Sequence, residues 1–328
     1  MKRIGLERKT GILKRITHEI SCAEKEGILD SSIYDSSTGF SGKKIIGLLQ
    51  RLTPIFEDDD TACYLEVGVF KGLTLLSTAI SSPNLICFGI DNFAFFDPKK
   101  ENLSYVKSRL AKYELKNVHI INSDYESAFS DLHSYIGKKK IAVYFIDGPH
   151  DYRSQILTLF LALPYLHENA VIIVDDCNYR HVRQANNDFL IINPKWKLIF
   201  EAYTHCHPDN MTDDMSYLAR EGWWNGVNVL VKDSANELIP MYPPTESSRK
   251  LYENDHIIHG ARFAEVVPQL LDFFQSILRL NLYKAGKSSI KLILNCARNK
   301  NDFKSRFDSM NTFSADLTKS HYARYRSL

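Results

Sequence analysis

The sequence predicts a doubly wound α/β fold with a mostly parallel sheet. Three observations carry that reading. Short, uniformly apolar runs recur at Ala62–Val67, Leu85–Ile90, Ile141–Ile146 and Ala170–Val174, with a weaker one at Val118–Ile121. Runs this short and this largely apolar suit parallel strands buried on both faces. Segments of helical length separate them, and each run ends on a polar residue or a glycine. Alternation of strand and helix is the signature of a doubly wound sheet.

Taken in order, residues 1–60 predict two helices joined by the loop "DSSIYDSSTGFSG". Leu73–Ser81 follows the first run, Leu103–Tyr113 the second, Tyr125–Tyr135 the weak one and Ser154–Leu166 the fourth. In the last of these, Ile156, Leu157, Phe160, Leu161 and Leu163 recur at helical spacing. Val182–Ile192 predicts a further helix and Trp196–Phe200 a strand. "GVNVLVK", Gly226–Lys232, alternates and predicts a closing antiparallel strand. Beyond Pro243 the sheet pattern stops. Phe263–Leu280 reads as one amphipathic helix, followed by a basic, weakly patterned tail. The expected organisation is an N-terminal helical cap (1–60), a sheet domain (61–235) and a C-terminal helical extension with a basic tail (236–328).

The chain has 328 residues, 44% of them hydrophobic, and a formal net charge of +2. That composition supplies an ordinary core and argues against nucleic acid as a partner on charge alone. No apolar run approaches the roughly 18 residues of a membrane span, so no membrane partner is expected. The six cysteines include no C-x-x-C pair. Free thiols suit a reducing, cytoplasmic setting.

Ligands of open α/β sheets bind at the carboxyl ends of the strands. Those ends hold Glu66, Asp91, Asp124, Asp147, Asp175 and Asp176. Gly68 and Gly72 bracket a strand-to-helix turn, "GVFKG", through Val69, Phe70 and Lys71. Glycine there admits a ligand close to the backbone and to the free N–H groups of the helix. The spacing lacks the G-x-G-x-x-G of dinucleotide enzymes. Glu66 before the loop suits a ligand carrying an amine or cation. Asp91, about 20 residues on, stands where an acid grips a ribose diol. Together they favour an adenosine-containing ligand. Three carboxylates from two neighbouring strand ends, Asp147, Asp175 and Asp176, make a hard oxygen site for Mg²⁺ or another divalent cation. The competing reading makes Asp147 and Asp175 helix caps.

"YLEVGVFKGLT" followed by "FGIDNF" resembles motifs I and II of class I S-adenosylmethionine-dependent methyltransferases, whose fold is Rossmann-like with a seven-stranded sheet. "FIDGPHDYRSQILTLFLALPYLHENAVIIVDD" resembles the subgroup containing macrocin O-methyltransferases and cephalosporin-biosynthesis proteins. "GWWNGVNVLVKD" resembles that subgroup's late segment. The resemblance covers about residues 60–235. It implies that Glu66 and the Gly68–Gly72 loop hold the methionine part of S-adenosylmethionine. Asp91, with Asn92 beside it, takes the ribose hydroxyls, and Asp124, with Tyr125, lies near the adenine. Asp147, Asp175 and Asp176 hold the metal, and Asp147 also borders the cofactor and the reacting centre.

The resemblance breaks at one position. Where the pattern reads D-G-D-H, this chain reads D-G-P-H, and Pro149 cannot take a proton. His150 is then the expected catalytic base, with Asp151 and His181 in reserve. Trp223 and Trp224 are candidates for the wall of the acceptor pocket, set against an ordinary core role. "HCHPDN", His205–Asn210, reads as a substrate-side loop rather than a zinc site.

The leading expectation is a metal-dependent O-methyltransferase acting on a hydroxyl of a small molecule or sugar. The N-terminal helices are expected to cover the site or to pair with a second subunit in a homo-oligomer. Two alternatives stand beside it. One is an NAD(P)-dependent oxidoreductase on a similar sheet. The other is a non-catalytic cofactor-binding subunit, which Pro149 keeps open.

Overall fold

The computed structural model describes residues 2–35, 38–204, 212–247, 267–308 and 324–325. Seven strands form the sheet: β1 (Ala62–Val67), β2 (Cys87–Asp91), β3 (Val118–Asn122), β4 (Lys140–Ile146), β5 (Leu166–Val174), β6 (Trp196–Ala202) and β7 (Val227–Lys232). A two-residue strand β8 (Arg324–Tyr325) adds to the edge, pairing antiparallel with β6. The order is β3-β2-β1-β4-β5-β7-β6-β8. β1 to β5 are mutually parallel. β7 enters antiparallel between β5 and β6. This is the Rossmann-like, mostly parallel sheet with an antiparallel last strand that the sequence predicts.

The chain winds outward from β1 to β3, then crosses back to lay β4 on the other side of β1. The strand order therefore reverses between β1 and β4, which is where such sheets open a crevice. Register makes the crevice sharp. Val67 pairs with Ile90 on one side and Ile146 on the other, and Ile146 pairs with Val174. Pairing continues one residue further: Gly68 N–H donates to Ile90 at 2.9 Å, Asp147 N–H to Val67 at 2.8 Å and Asp175 N–H to Ile146 at 2.9 Å. Gly68, Asp147 and Asp175 thus stand in one row.

Two apolar layers hold the sheet. One face packs Tyr64, Val143, Phe145, Val171 and Ile173 against the N-terminal helices α1 (Lys2–Glu26) and α2 (Lys43–Leu52) and against α3 (Leu73–Ser81). The other packs Leu65, Tyr144, Ile146, Ile172 and Val174 against α5 (Tyr125–Ser130), α7 (Tyr152–Ala162) and α8 (Arg180–Ile192). α4 (Asn102–Lys112) follows β2.

Some expected elements differ. The helix expected over Tyr125–Tyr135 is two, because Asp131 breaks it with φ −128° before α6 (Leu132–Ile136). A short acid that can bond to its own local backbone and hydroxyls is a natural breaker. The helix expected to reach Leu166 ends at Ala162. Pro164, which has no N–H to donate, sits in the tight turn before β5. A helix that the sequence reading left out, α9 (Asp213–Glu221), precedes β7. At the C-terminal end α10 covers Val267–Leu278, the described part of the expected amphipathic helix. The basic tail continues as helix α11 (Leu282–Asp308). Among the described residues, no helix is long and apolar enough to cross a membrane.

Candidate active site

The glycine loop is built by conformation. Gly68 has φ +95° and Gly72 φ +80°, values that side chains oppose. A Cβ on Gly68 would lie 1.9 Å from the carbonyl oxygen of Asp147, so β1 and β4 close to this distance only with glycine there. Between the two glycines the Val69 and Phe70 N–H groups both donate to Asp91 Oδ2, at 2.8 and 2.7 Å. The Phe93 N–H donates to Oδ1 at 2.6 Å. Asp91 therefore ties its own loop to the glycine loop and keeps one lone pair, on Oδ1, unused by these bonds, with Asn92 exposed beside it. Glu66 lies beneath, fully buried. Its oxygens accept from the Tyr64 hydroxyl at 2.5 Å and the Thr74 hydroxyl at 2.8 Å. Burial pushes its carboxyl up to about 8.

Asp124 caps α5, accepting from the Ser127 N–H at 2.9 Å. That bond lowers its pKa. Tyr125 is half-buried next to it.

Beyond β4 and β5 the acids crowd. Asp176 has φ +57°, the left-handed region, which turns its side chain away from the course of β5. Asp176 Oδ1 accepts from Asn225 at 2.6 Å, and Oδ2 lies 2.5 Å from His150 Nε2. The His150 ring stacks on Tyr179, with centroids 5.0 Å apart and planes 13° from parallel. Burial draws the His150 pKa down, but the Asp176 carboxylate outweighs it and the net shift is upward. Asp147 is held well above the usual carboxylate range by burial and by its acidic neighbours Asp175 and Asp176.

The expected metal set was Asp147, Asp175 and Asp176. The groups whose ligand atoms converge, all within 4.8 Å of one another, are instead Asp147, His150 and Asp176. Asp175 is buried, and its Oδ1 accepts the Asp176 N–H at 2.8 Å. Successive residues at a strand end point to opposite sides, so adjacency in sequence works against both acids facing one ion. Two carboxylates and an imidazole form a donor set for a borderline or hard divalent cation. The high proton affinity of Asp147 is what crowded acids show without a neutralising charge.

The reserve bases are outside the converging set. Asp151 caps α7 through the Ser154 N–H at 2.9 Å. His181 is buried in the first turn of α8. Trp223 belongs to the core: it packs on Phe200 with centroids 4.9 Å apart, and its indole N–H donates to Glu24 of α1. Trp224 is also buried, under the Arg220 guanidinium. Both belong to the apolar layer that packs against the N-terminal helices. "HCHPDN" lies outside the described residues.

Two features escaped the sequence reading. Asn225, inside "WWNG", reaches Asp176 across the sheet end. Phe40, Phe70 and Phe96 form an aromatic cluster above the glycine loop, with centroids 5.3, 6.1 and 6.3 Å apart. Phe40 comes from the segment after α1. Arg109 fastens that segment to the loop by donating to Ile33 at 2.9 Å and to Lys71 at 3.0 Å. Positive φ values at Phe70 and Phe96 were the hidden ingredient.

The glycine loop, Asp91 and the cluster of Asp147, His150 and Asp176 share one rim of the sheet. Residues 65–177 match the family described as "Methyltransferase domain". The matched segment holds the glycine loop, Asp91 and both crowded strand ends. An uncharacterized protein of Acanthamoeba polyphaga mimivirus is 29% identical over 194 residues, covering 56% of this chain and 84% of that one. Among solved structures, the O-methyltransferase TomG from Streptomyces achromogenes, involved in tomaymycin synthesis and solved with SAM, shares 13% identity and a TM-score of 0.45. The alignment covers 65% of this chain and 95% of that one. The O-methyltransferase from Bacillus cereus in complex with SAH shares 13% identity and a TM-score of 0.44, covering 66% and 90%.

Proposed function

We propose that this chain is an S-adenosylmethionine-dependent O-methyltransferase, assisted by a divalent cation, that acts on a hydroxyl of a small molecule or sugar in the cytoplasm. The observation that carries the reading is the convergence of Asp147, His150 and Asp176 beside the glycine loop, inside the segment that matches the methyltransferase family.

Each residue then has work to do. The Gly68–Gly72 loop admits the methionine part of the cosubstrate against bare backbone. Asp91, already fixed by three N–H groups, presents its remaining Oδ1 lone pair to a ribose hydroxyl, with Asn92 alongside. Asp124 and Tyr125 border the adenine. Asp147 and Asp176, with His150 nearby, would hold the cation, which when bound lowers the pKa of a hydroxyl next to it. Asn225 holds Asp176 in the orientation that serves this set.

His150 is the group fitted to take the acceptor's proton. Pairing with Asp176 strengthens it as a base, and stacking on Tyr179 fixes its ring plane. Pro149 removes an acid from the loop and leaves this imidazole as the nearest proton acceptor. Holding nucleophile and methyl donor in contact supplies most of the remaining acceleration.

Isothermal titration tests the reading. S-adenosylmethionine should bind the wild type, and Mg²⁺ should give a separate signal that an Asp147→Ala/Asp176→Ala double variant loses. Binding of NAD(H) in place of S-adenosylmethionine would return the chain to the oxidoreductase reading.

A further inference from the structure

The C-terminal helix pair is built inside out. α10 and α11 meet through small and polar groups: Ser276 and Ala285 are buried between them, and Asn295 donates to Gln269 at 2.8 Å. The large apolar side chains point the other way. On α10, Leu270, Leu271, Phe274, Ile277 and Leu278 share one exposed face. On α11, Leu282, Tyr283, Ile290, Ile293 and Leu294 do the same. At the turn between the helices, Leu278, Leu280 and Tyr283 are 83%, 83% and 85% exposed. Ten large apolar side chains on two adjoining helices exceed what a solvated surface carries by chance.

Charge says what covers them. At 100° per residue, Lys284, Lys287 and Lys291 run along one edge of the α11 apolar stripe. Arg279 stands at the turn. Asp272 is the single acid from Val267 to Ala297. A second copy of this chain laid on the face would bring lysine against lysine. A nucleic acid would answer the lysines but leave the leucines and isoleucines in water. A bilayer with anionic headgroups answers both, taking apolar side chains into the acyl boundary and lysines to the phosphates.

We infer that α10 and α11 form an interfacial anchor that docks this chain on an anionic lipid surface. The expectation of no membrane partner rested on the lack of a spanning run, and an anchor lying in the interface needs none. The anchor is independent of the methyl-transfer reading. It would bring the domain to acceptors carried at a membrane.

The test is co-sedimentation of the full chain with vesicles of phosphatidylcholine alone or with one part in three phosphatidylserine. The chain should pellet with the anionic vesicles and stay in solution with the neutral ones, and added salt should weaken binding. Lys284→Glu/Lys287→Glu/Lys291→Glu should weaken partitioning on the order of a hundredfold. Ile290→Ser/Ile293→Ser should weaken it at every salt concentration. These positions are exposed, so circular dichroism of both variants should match the wild type. Three results would overturn the inference. One is failure to pellet with anionic vesicles. Another is a lipid-free dimer by light scattering that Ile290→Ser/Ile293→Ser converts to monomer. The third is lysine-dependent binding to duplex DNA with no vesicle binding.

Discussion

The two halves of the rim treat their acids in opposite ways. On the β1–β2 side every carboxylate has been answered from within. Asp91 accepts three backbone N–H groups, and Glu66 accepts two hydroxyls. On the β4–β5 side Asp147 faces Asp175 and Asp176, and its pKa is driven far up. Internally satisfied acids shape a loop. Crowded acids call for a proton or a cation, and such groups mark functional sites more often than structural ones. The first half therefore reads as a preformed cradle and the second as the reactive pole.

Breaking the reactive pole should have the largest effect. His150→Ala should lower the rate of methyl transfer about a hundred- to ten-thousandfold, with S-adenosylmethionine affinity changed only a few-fold. Single-turnover kinetics together with titration calorimetry separates the two. A matching loss of affinity would move His150 into the cradle.

The cradle should fail differently. Gly68→Ala places a methyl group on the Asp147 carbonyl at 1.9 Å and at φ +95°. It should cost about 3 kcal/mol or more of stability, measured by urea unfolding, and should abolish cofactor binding. Asp91→Ala leaves three N–H groups without their acceptor. It should cost about 2 kcal/mol and weaken S-adenosylmethionine at least tenfold, while a response to Mg²⁺ persists.

A pH profile sharpens the contrast within the cradle. The Glu66 carboxyl moves from 4.5 to about 8 on folding, so the folded chain holds a proton that the unfolded chain releases. Its contribution to stability is complete below about pH 4.5 and is lost as pH rises toward 8. Glu66→Gln should flatten the fall in stability between pH 5 and pH 8 relative to wild type. An unchanged slope would mean that Glu66 is ionised in the fold.

The sequence showed the rim more fully than it showed the geometry on it. β1 and α3 occur over the residues expected, because a uniformly apolar run followed by glycine leaves few alternatives. The antiparallel β7 was legible from its alternation. Asp175 and Asp176 were legible as acids, but their facing was not. Asp176, in the left-handed region, meets Asp147 and His150, while Asp175 accepts the Asp176 N–H. Trp223 could be read as a pocket wall or as core until Glu24, 199 positions away in sequence, accounted for its indole. Contacts over that distance leave no local pattern. The aromatic cluster over the loop was hidden likewise, since its members come from three separate segments.

The measurement that bears most directly on the reactive pole is thermal unfolding of wild type and Asp147→Asn, each with and without Mg²⁺. Asparagine keeps the shape of the group and removes its charge. Without the cation, Asp147→Asn should melt a few degrees above wild type, because the crowding is relieved. With millimolar Mg²⁺, wild type should rise and the variant should not. A wild type indifferent to Mg²⁺, together with a variant that melts lower, would contradict the account. Asp147 would then belong with Asp91 and Glu66 among the acids that the fold has already satisfied.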